Sequence, residues 1–272
     1  MTTYKIAAVD LDGTLLNEHS QLNPRTIAAV KAAKTRGVHV VICTGRPMTG
    51  VRHFLEDLDL LGDDDYVITF NGSLVQKTAD ESVLVRHTLA YNDYVDLEYL
   101  ARKLGSHMHA EDDHFMYTTN KNISPYSVGE SYLVQMPIHY RTLDDFAPSK
   151  RFSKVMFIDD PEIVDKVAHS IPPEYQDRYH FVRSEPFFLE VLNPNASKGN
   201  ALKGLAKRLG VPMAQVMAFG DQGNDLSMIE AAGTGVAMAN ATDEVKAKAQ
   251  IITASNVDDG VAQALEKYVL AD

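Results

Sequence analysis

The chain contains 272 residues, of which 45% are hydrophobic and 23% are charged, a composition that is ordinary for a soluble globular protein. The net charge of −11 argues against nucleic acids and anionic membranes as partners. It does not argue against a phosphorylated substrate, because a metal ion and local cations can invert the field within a cleft. A single cysteine, Cys43, excludes an intrachain disulfide. Since no leader or membrane-spanning run is found either, we expect a cytoplasmic protein.

An apolar run from Ile6 to Val9 predicts a first strand that is buried on both faces, as in a parallel sheet. Two carboxylates, Asp10 and Asp12, follow it at the edge where open α/β sheets bind ligands. Side chains two positions apart on a strand point the same way, so both carboxylates can face one bound group. Two carboxylates this close either bind a divalent cation or share a proton. The alternative is an acidic turn that only caps the strand.

The next segments predict a helix and a second buried strand. The helix runs from Pro24 to about Gly37, and the strand covers residues 38–43. A right-handed crossover places the residues after this strand, Thr44 and Gly45, beside the first strand at the same sheet edge. The Thr44 hydroxyl and the Gly45 N–H group can hold a phosphate oxygen there.

A hairpin and a change of character follow. Asn71-Gly72 predicts a hairpin turn between strands at 66–70 and 74–75. From about residue 86, short strands with alternating polarity and helices replace the strand–helix repeat, and this predicts a separate α+β module up to residue 188.

The strand–helix repeat then resumes. Ser197 predicts the N-cap of a helix that places Lys198 at its start, where unpaired N–H groups and the helix dipole favour anions. A buried strand over 215–219 ends in Gly220-Asp221-Gln222-Gly223-Asn224-Asp225. We therefore predict an α/β fold with a Rossmann-like, doubly wound parallel-sheet core. Its segments are residues 1–85 and 189–272, with an inserted α+β cap over residues 86–188.

The acidic residues at the predicted sheet edge suit a hard cation. Mg²⁺ takes few carboxylates and keeps water or substrate oxygens, which fits Asp10, Asp221 and the backbone carbonyl of Asp12. The competing interpretation of the Asp221 motif is a simple acidic helix cap. His107 and His109 also suggest a second metal site, because histidines two apart on a strand share a face and could bind zinc. A polar strand end is the alternative there.

These motifs together resemble the haloacid dehalogenase superfamily, specifically its Cof-type sugar-phosphate phosphatases. The resemblance covers essentially the whole chain. It is carried by D-x-D-G-T from Asp10, T-G-R-P from Thr44, N-G at Asn71, S-K-G from Ser197 and G-D-x-x-N-D around Asp221 to Asp225.

The resemblance implies a mechanism. Asp10 would attack phosphorus to give an aspartyl-phosphate, and Asp12 would act as general acid and then as general base. The implied phosphate contacts are the Leu11 backbone, Thr44, Gly45, Lys198 and Asn224. The implied metal ligands are Asp10, Asp12 through its carbonyl, Asp221 and, through water, Asp225. The family places its cap between the second and third motifs, where the composition changes here.

We therefore predict a Mg²⁺-dependent phosphatase of small phosphorylated metabolites, with sugar phosphates as the leading class. One alternative is a hexose phosphate phosphomutase, which would return the phosphoryl group to a sugar hydroxyl. Another is a phospho-accepting signalling domain, which would need a long-lived aspartyl-phosphate. The sequence leaves open the physiological substrate, the regulation, the cap residues at the leaving group, and whether the protein is a monomer or a homodimer.

Overall fold

The structure, a computed structural model, describes residues 4–271. Its strands are β1 (Ile6–Asp10), β2 (His39–Cys43), β3 (Tyr66–Thr69), β4 (Leu74–Lys77), β5 (Val83–Arg86), β6 (Leu89–Ala90), β7 (Met108–Glu111), β8 (Met116–Thr118), β9 (Ile138–Tyr140), β10 (Arg151–Phe152), β11 (Lys154–Ile158), β12 (His180–Glu185), β13 (Phe188–Leu192), β14 (Val216–Gly220), β15 (Thr234–Ala237) and β16 (Ile251–Ile252).

The helices occupy the connections between these strands. They are α1 (Pro24–Thr35), α2 (Arg52–Asp57), α3 (Tyr91–Leu104), α4 (Pro125–Leu133), α5 (Pro161–Ser170), α6 (Pro173–Gln176), α7 (Lys198–Leu209), α8 (Leu226–Ala231), α9 (Asp243–Lys248) and α10 (Gly260–Tyr268). Short helical turns lie at Leu11–Leu15, Phe70–Gly72, Leu143–Asp145, Met213–Gln215, Gly223–Asp225 and Asn256–Asp258. No helix within residues 4–271 is long and apolar enough to cross a lipid bilayer.

The described residues form two compact units. The first contains the chain up to Gly45, Val51–Arg86 and the chain from Ser197 onward, and the second contains Arg46–Gly50 and His87–Ala196. The return to the core was expected at residue 189. However, β13 pairs with β11 and β12, and these pairings keep residues 189–196 in the second unit.

The first unit is built on one mixed sheet in the order β16-β15-β14-β1-β2-β3-β4-β5. Its strands from β16 to β3 are parallel, and the hairpin strands β4 and β5 are antiparallel. The expected α/β fold with a Rossmann-like core is confirmed. Strand β1 lies between β2 and β14. The chain therefore continues from β1 to the strands on one side of it, and later forms β14 on the other side. Ligands bind at such a switch point in open α/β sheets.

Burial explains why this sheet forms. Every residue of β1 and β14 is buried, as expected for strands that are covered on both faces. On one face, Ile6 and Ala8 lie in an apolar cluster with Leu202 and Leu205 of α7 and Met228 of α8. Helix α7 therefore packs on the sheet through a stripe at helical spacing, and its first turn lies at the edge where β1 ends.

The second unit contains a six-stranded sheet in the order β12-β13-β11-β7-β8-β9. Its neighbouring strands are antiparallel except β8 and β9. Met108 and Ala110 of β7 lie in an apolar cluster with Leu97 of α3 and Val164 of α5. The strand's other residues, His109 and Glu111, therefore face away from these helices.

The opposite face carries a buried charged cluster. Lys154 Nζ lies 3.4 Å from Glu111 Oε1, 3.8 Å from Glu130 Oε1 and 4.0 Å from Glu190 Oε2. Burial raises the pKa of the Glu130 carboxyl and Glu111 raises it further, and together they outweigh the opposing effect of Lys154. The cluster therefore contains more carboxylates than the single ammonium group of Lys154 can neutralise.

Replacing Glu130 with glutamine is expected to stabilise the protein at neutral pH. Because its folded-state pKa is raised, the folded state binds more protons than the unfolded state above the ordinary value of 4.5. The free energy of unfolding should then fall as the pH rises above 4.5. Urea denaturation from pH 4 to pH 8 checks this. Glu130→Gln should unfold at a higher urea concentration than the wild type at pH 7, and this difference should disappear at low pH.

A control is provided by Glu185→Gln, because Glu185 is exposed. This variant should unfold at the same urea concentration as the wild type at pH 7; a difference equal to that of Glu130→Gln would contradict the assignment to Glu130.

Candidate active site

The carboxyl ends of three neighbouring strands converge at the candidate site. Asp10, the last residue of β1, pairs with Cys43 of β2, so Thr44 lies beside it at the same edge. On the other side, β14 ends at Gly220, and Asp221 follows immediately. Sheet register thus places Asp10 between Thr44 and Asp221.

The expectation that Asp10 and Asp12 share one strand face is wrong. Strand β1 ends at Asp10, and Leu11–Leu15 forms a helical turn with a kink at Asp12 and Gly13. Asp10 is buried, with 6% of its surface exposed, whereas Asp12 is exposed. The two carboxyl groups therefore differ in environment, which suits two different chemical roles.

Lys198 is completely buried at the start of α7 and bridges two acids. Its Nζ atom donates to Asp10 Oδ1 at 2.5 Å and to Asp225 Oδ1 at 2.6 Å. Burial alone would lower the pKa of this lysine, but Asp10 and Asp225 outweigh burial and raise it. The ammonium group therefore stays charged at physiological pH.

Three buried carboxylates outnumber this ammonium group. Ligand atoms of Asp10, Asp221 and Asp225 lie within 4.8 Å of one another. Burial raises the pKa of Asp10 well above its ordinary value, and Asp225 raises it further. Burial likewise raises the pKa of Asp221. An all-oxygen set with excess negative charge fits a hard divalent cation such as Mg²⁺.

The hydrogen bonds of Asp221 and Asp225, the two acids that follow β14, indicate different roles for them. Asp225 Oδ1 accepts from Lys198, and its Oδ2 accepts from the backbone N–H groups of Asp221 at 2.9 Å and Gln222 at 3.0 Å. Both oxygens are thus engaged, which favours an indirect contribution to a metal site. Asp221 Oδ1 accepts from the Thr14 hydroxyl at 2.7 Å. Sequence reasoning did not assign this role to Thr14, although the hydroxyl belongs to the D-x-D-G-T motif.

A second missed residue is Asn71, which sequence reasoning treated as a hairpin turn. The turn does join β3 and β4, but Asn71 is also buried and contacts other predicted site residues. Its N–H group donates to the Thr44 carbonyl at 2.9 Å. Its Oδ1 accepts from Asn224 Nδ2 at 3.1 Å. The predicted phosphate contacts Thr44 and Asn224 are therefore linked through Asn71.

Two close backbone approaches hold Lys198 in place. The Ser197 hydroxyl caps α7 by accepting from the Asn200 N–H group at 3.1 Å. A Cβ atom at Gly72 would overlap the Ser197 carbonyl, and one at Gly199 would overlap the Ser227 carbonyl. Glycine at both positions allows the first turn of α7 to enter between these segments, which carries Lys198 to Asp10.

We expect Gly199→Ala to destabilise the protein by about 1–3 kcal/mol, because the added methyl group must displace backbone. A shift of Lys198 should also lower turnover by about 10²-fold. Thermal unfolding and phosphate-release assays measure the two effects. Gly129→Ala in α4, where no heavy atom lies within 4 Å of the new Cβ, should stabilise by ~1 kcal/mol. Wild-type stability and turnover in Gly199→Ala would show that the close approach does not position Lys198.

Comparison with known proteins identifies the family. A family model described as haloacid dehalogenase-like hydrolase matches residues 7–265. The chain belongs to this family of hydrolases. The predicted resemblance to this superfamily is thereby confirmed, and relatives named as phosphatases confirm the prediction of a phosphatase of this family.

This hydrolase has relatives of similar length. It is 47% identical over 98% of its chain to YxeH of Bacillus subtilis, which is named as a candidate phosphatase and is covered over 99% of its length. It is 31% identical over 98% of its chain to YcsE of Bacillus subtilis, named as a 5-amino-6-(5-phospho-D-ribitylamino)uracil phosphatase, of which 96% is covered.

Solved structures are similar to the hydrolase over nearly its full length. A haloacid dehalogenase-like hydrolase from Bacteroides thetaiotaomicron superposes with a TM-score of 0.86 at 30% identity, covering 97% of this chain and 99% of that one. A structure described as a subclass IIB sugar phosphatase superposes with a TM-score of 0.78 at 25% identity, covering 97% and 98%.

The histidines considered for a second metal site have other neighbours. His109 Nδ1 lies 2.9 Å from the Ser127 hydroxyl, and its Nε2 lies 3.2 Å from Glu111 Oε1. His107 Nδ1 lies 2.7 Å from Asp159 Oδ2. Within residues 4–271, the three acids at the β1 edge are the only group of three or more His, Cys, Asp or Glu side chains whose possible ligand atoms lie within 4.8 Å of one another.

Proposed function

We propose that this chain is a Mg²⁺-dependent phosphatase that hydrolyses small phosphorylated metabolites, with sugar phosphates as its main substrates. The observation that carries the proposal is the placement of Asp10. Its carboxylate is buried at the end of β1, bonded through Oδ1 to the ammonium group of Lys198, and clustered with Asp221 and Asp225. A buried carboxylate held in one orientation beside a cation is suited to nucleophilic attack on a phosphate monoester.

In the first step, Asp10 Oδ2 attacks phosphorus in line with the leaving oxygen. The new bond joins Oδ2 to phosphorus, the bond from phosphorus to the substrate oxygen breaks, and its electron pair stays on that oxygen. Asp12, whose exposed side chain can reach a substrate, donates the proton that converts the departing alkoxide to an alcohol. The product on the enzyme is an aspartyl-phosphate at Asp10.

In the second step, Asp12 accepts a proton from water while the water oxygen bonds to phosphorus. The bond between phosphorus and Asp10 breaks, which regenerates the carboxylate and yields inorganic phosphate. The Thr44 hydroxyl, the Lys198 ammonium and the N–H groups of Leu11 and Gly45 donate to the phosphoryl oxygens, with Asn224 as a further contact. Donors fixed before the reaction stabilise the charge that develops in phosphoryl transfer.

Asp10, Asp221 and the backbone carbonyl of Asp12 would hold Mg²⁺, with Asp225 supporting it through water. When bound, the cation offsets negative charge on the nucleophile and on the phosphoryl oxygens. The sugar-phosphate class is supported by the solved relative described as a sugar phosphatase and by YcsE, whose named substrate carries a phosphorylated ribityl chain.

The proposal is tested by measuring phosphate release from a panel of sugar and nucleotide phosphates, with Mg²⁺ and with EDTA. We expect many turnovers with Mg²⁺, none with EDTA, and the fastest release from sugar phosphates. An isomeric sugar phosphate without free phosphate would instead indicate a phosphomutase. Stoichiometric phosphorylation without turnover would indicate a signalling domain. No reaction with any phosphate monoester would overturn the proposal.

A further inference from the structure

We propose that Asn71 is a positioning residue of the active site. Through its backbone and its side-chain amide it holds Thr44-Gly45 and Asn224 in the arrangement that binds the transferred phosphoryl group. The inference rests on the proposed function, because the group that Asn71 would help to bind is the phosphate of the substrate.

The backbone around Asn71 is unusual. Phe70, Asn71 and Gly72 have φ angles of 51°, 54° and 95°, so three consecutive residues lie in the left-handed region. Glycine adopts this region readily and asparagine tolerates it, but an aromatic residue rarely does. Strained backbone of this kind concentrates at functional sites, where the surrounding structure maintains it.

The contacts of Asn71 connect two separate strand ends. Its N–H group donates to the carbonyl of Thr44, the residue after β2. Its Oδ1 accepts from Asn224 in the turn after β14. A Cβ atom built on Gly45 would lie 3.1 Å from Asn71 Nδ2, so the amide lies directly against Gly45. The Asn71 side chain, which is 5% exposed, therefore contacts both Gly45 and Asn224, and strand pairing alone does not bring these two residues together.

A turn role alone makes a different prediction from a positioning role. Asparagine, aspartate and glycine all suit a turn residue with positive φ, so a simple turn would accept either replacement. A positioning residue would not. Glycine removes the acceptor for Asn224, and aspartate replaces the amide donor with a negative charge beside the phosphate contacts. The two variants therefore separate backbone conformation from the side chain's contacts.

The test compares Asn71→Gly, Asn224→Ala and the double variant in the Mg²⁺-dependent hydrolysis of an aryl phosphate, with thermal unfolding alongside. We expect Asn71→Gly to keep its fold and to lose about 10²-fold in kcat/KM, the cost of a misplacement of about 1 Å. The double variant should lose less than the product of the two single losses, because the two residues share the contact between Asn71 Oδ1 and Asn224 Nδ2. Wild-type kcat/KM in Asn71→Gly, or losses that multiply in the double variant, would overturn the proposal.

Two further measurements keep the outcome decisive. If Asn71→Gly does not fold, Asn71→Asp replaces it, and wild-type kcat/KM in that variant would overturn the proposal. If the wild-type protein shows no turnover, the proposed function fails separately, and the inference is judged by calorimetric titration with inorganic phosphate in the presence of Mg²⁺. Weaker phosphate binding by the variant supports it. Equal binding, or no binding by the wild type, overturns it.

Discussion

Replacing Asp10 with asparagine is expected to abolish turnover and leave the fold intact. The amide has nearly the same shape as the carboxylate but lacks the nucleophilic oxygen, so no covalent intermediate can form. Removal of a covalent nucleophile costs on the order of 10⁶-fold in kcat. The loss should appear in kcat for every substrate, because the nucleophile is common to all of them. Phosphate release under saturating substrate and Mg²⁺ measures it.

The environment of Asp10 predicts that stability will survive this change. Burial and Asp225 raise the pKa of Asp10, so a neutral group at this position relieves repulsion even as it loses a charged partner for Lys198. The midpoint of thermal unfolding should therefore stay near that of the wild type. Asp12→Asn serves as the comparison and should lose only about 10²–10⁴-fold, the contribution of a general acid–base group. Turnover that persists in purified Asp10→Asn would undo the nucleophile assignment.

Replacing Lys198 with methionine is expected to impair both stability and turnover. Methionine fills much of the same volume, but Asp10 and Asp225 then lose the ammonium group that now donates to both. Removing one partner of a buried ion pair costs about 3–5 kcal/mol. Loss of a charged donor to the phosphoryl oxygens should lower kcat by roughly 10²–10³-fold. Urea denaturation and phosphate release measure the two effects.

The metal proposal predicts how this destabilisation depends on Mg²⁺. A cation that binds the folded acidic cluster stabilises it by mass action, so Lys198→Met should be less destabilised in saturating Mg²⁺ than in EDTA. Lys203→Met provides a matched control on the same helix, because Lys203 is exposed, and it should change neither quantity. A similar loss of stability and turnover in both lysine variants would mean that the loss comes from replacing any lysine of α7, and not from removing the buried ion pair.

Much of the fold could be predicted from short stretches of sequence. The strand predicted over residues 38–43 is β2, which spans His39–Cys43. Helix α7 begins after the predicted Ser197 cap and ends at Leu209, and the following Gly210 adopts the left-handed conformation. Caps, turns and apolar runs report on neighbouring residues, and hydrogen bonds within a few residues of one another determine these elements.

Elements whose burial depends on distant partners were not predictable in this way. Helix α4 buries the polar residues Ser127 and Glu130 and exposes Val128, Tyr132 and Leu133. Its apolar pattern therefore does not mark its buried face, because Glu130 faces Lys154 in strand β11. The position of Asp12 was misjudged for a related reason: strand β1 ends at Asp10 and a helical turn begins at Leu11, and the apolar run does not show that turn.

The sequence by itself determined which chemical groups stand at the ends of the core strands: Asp10, Thr44, Lys198 and Asp221 are each announced by a local motif. Only the tertiary structure decided how these groups pair. Lys198 meets Asp10 across 188 positions of chain, and Asn224 meets Asn71 across 153. Such pairings depend on strand register, on the entry of α7 past Gly72, and on the burial that makes an unpaired charge costly. These are properties of the assembled sheet and helices, and no short segment of the chain contains them.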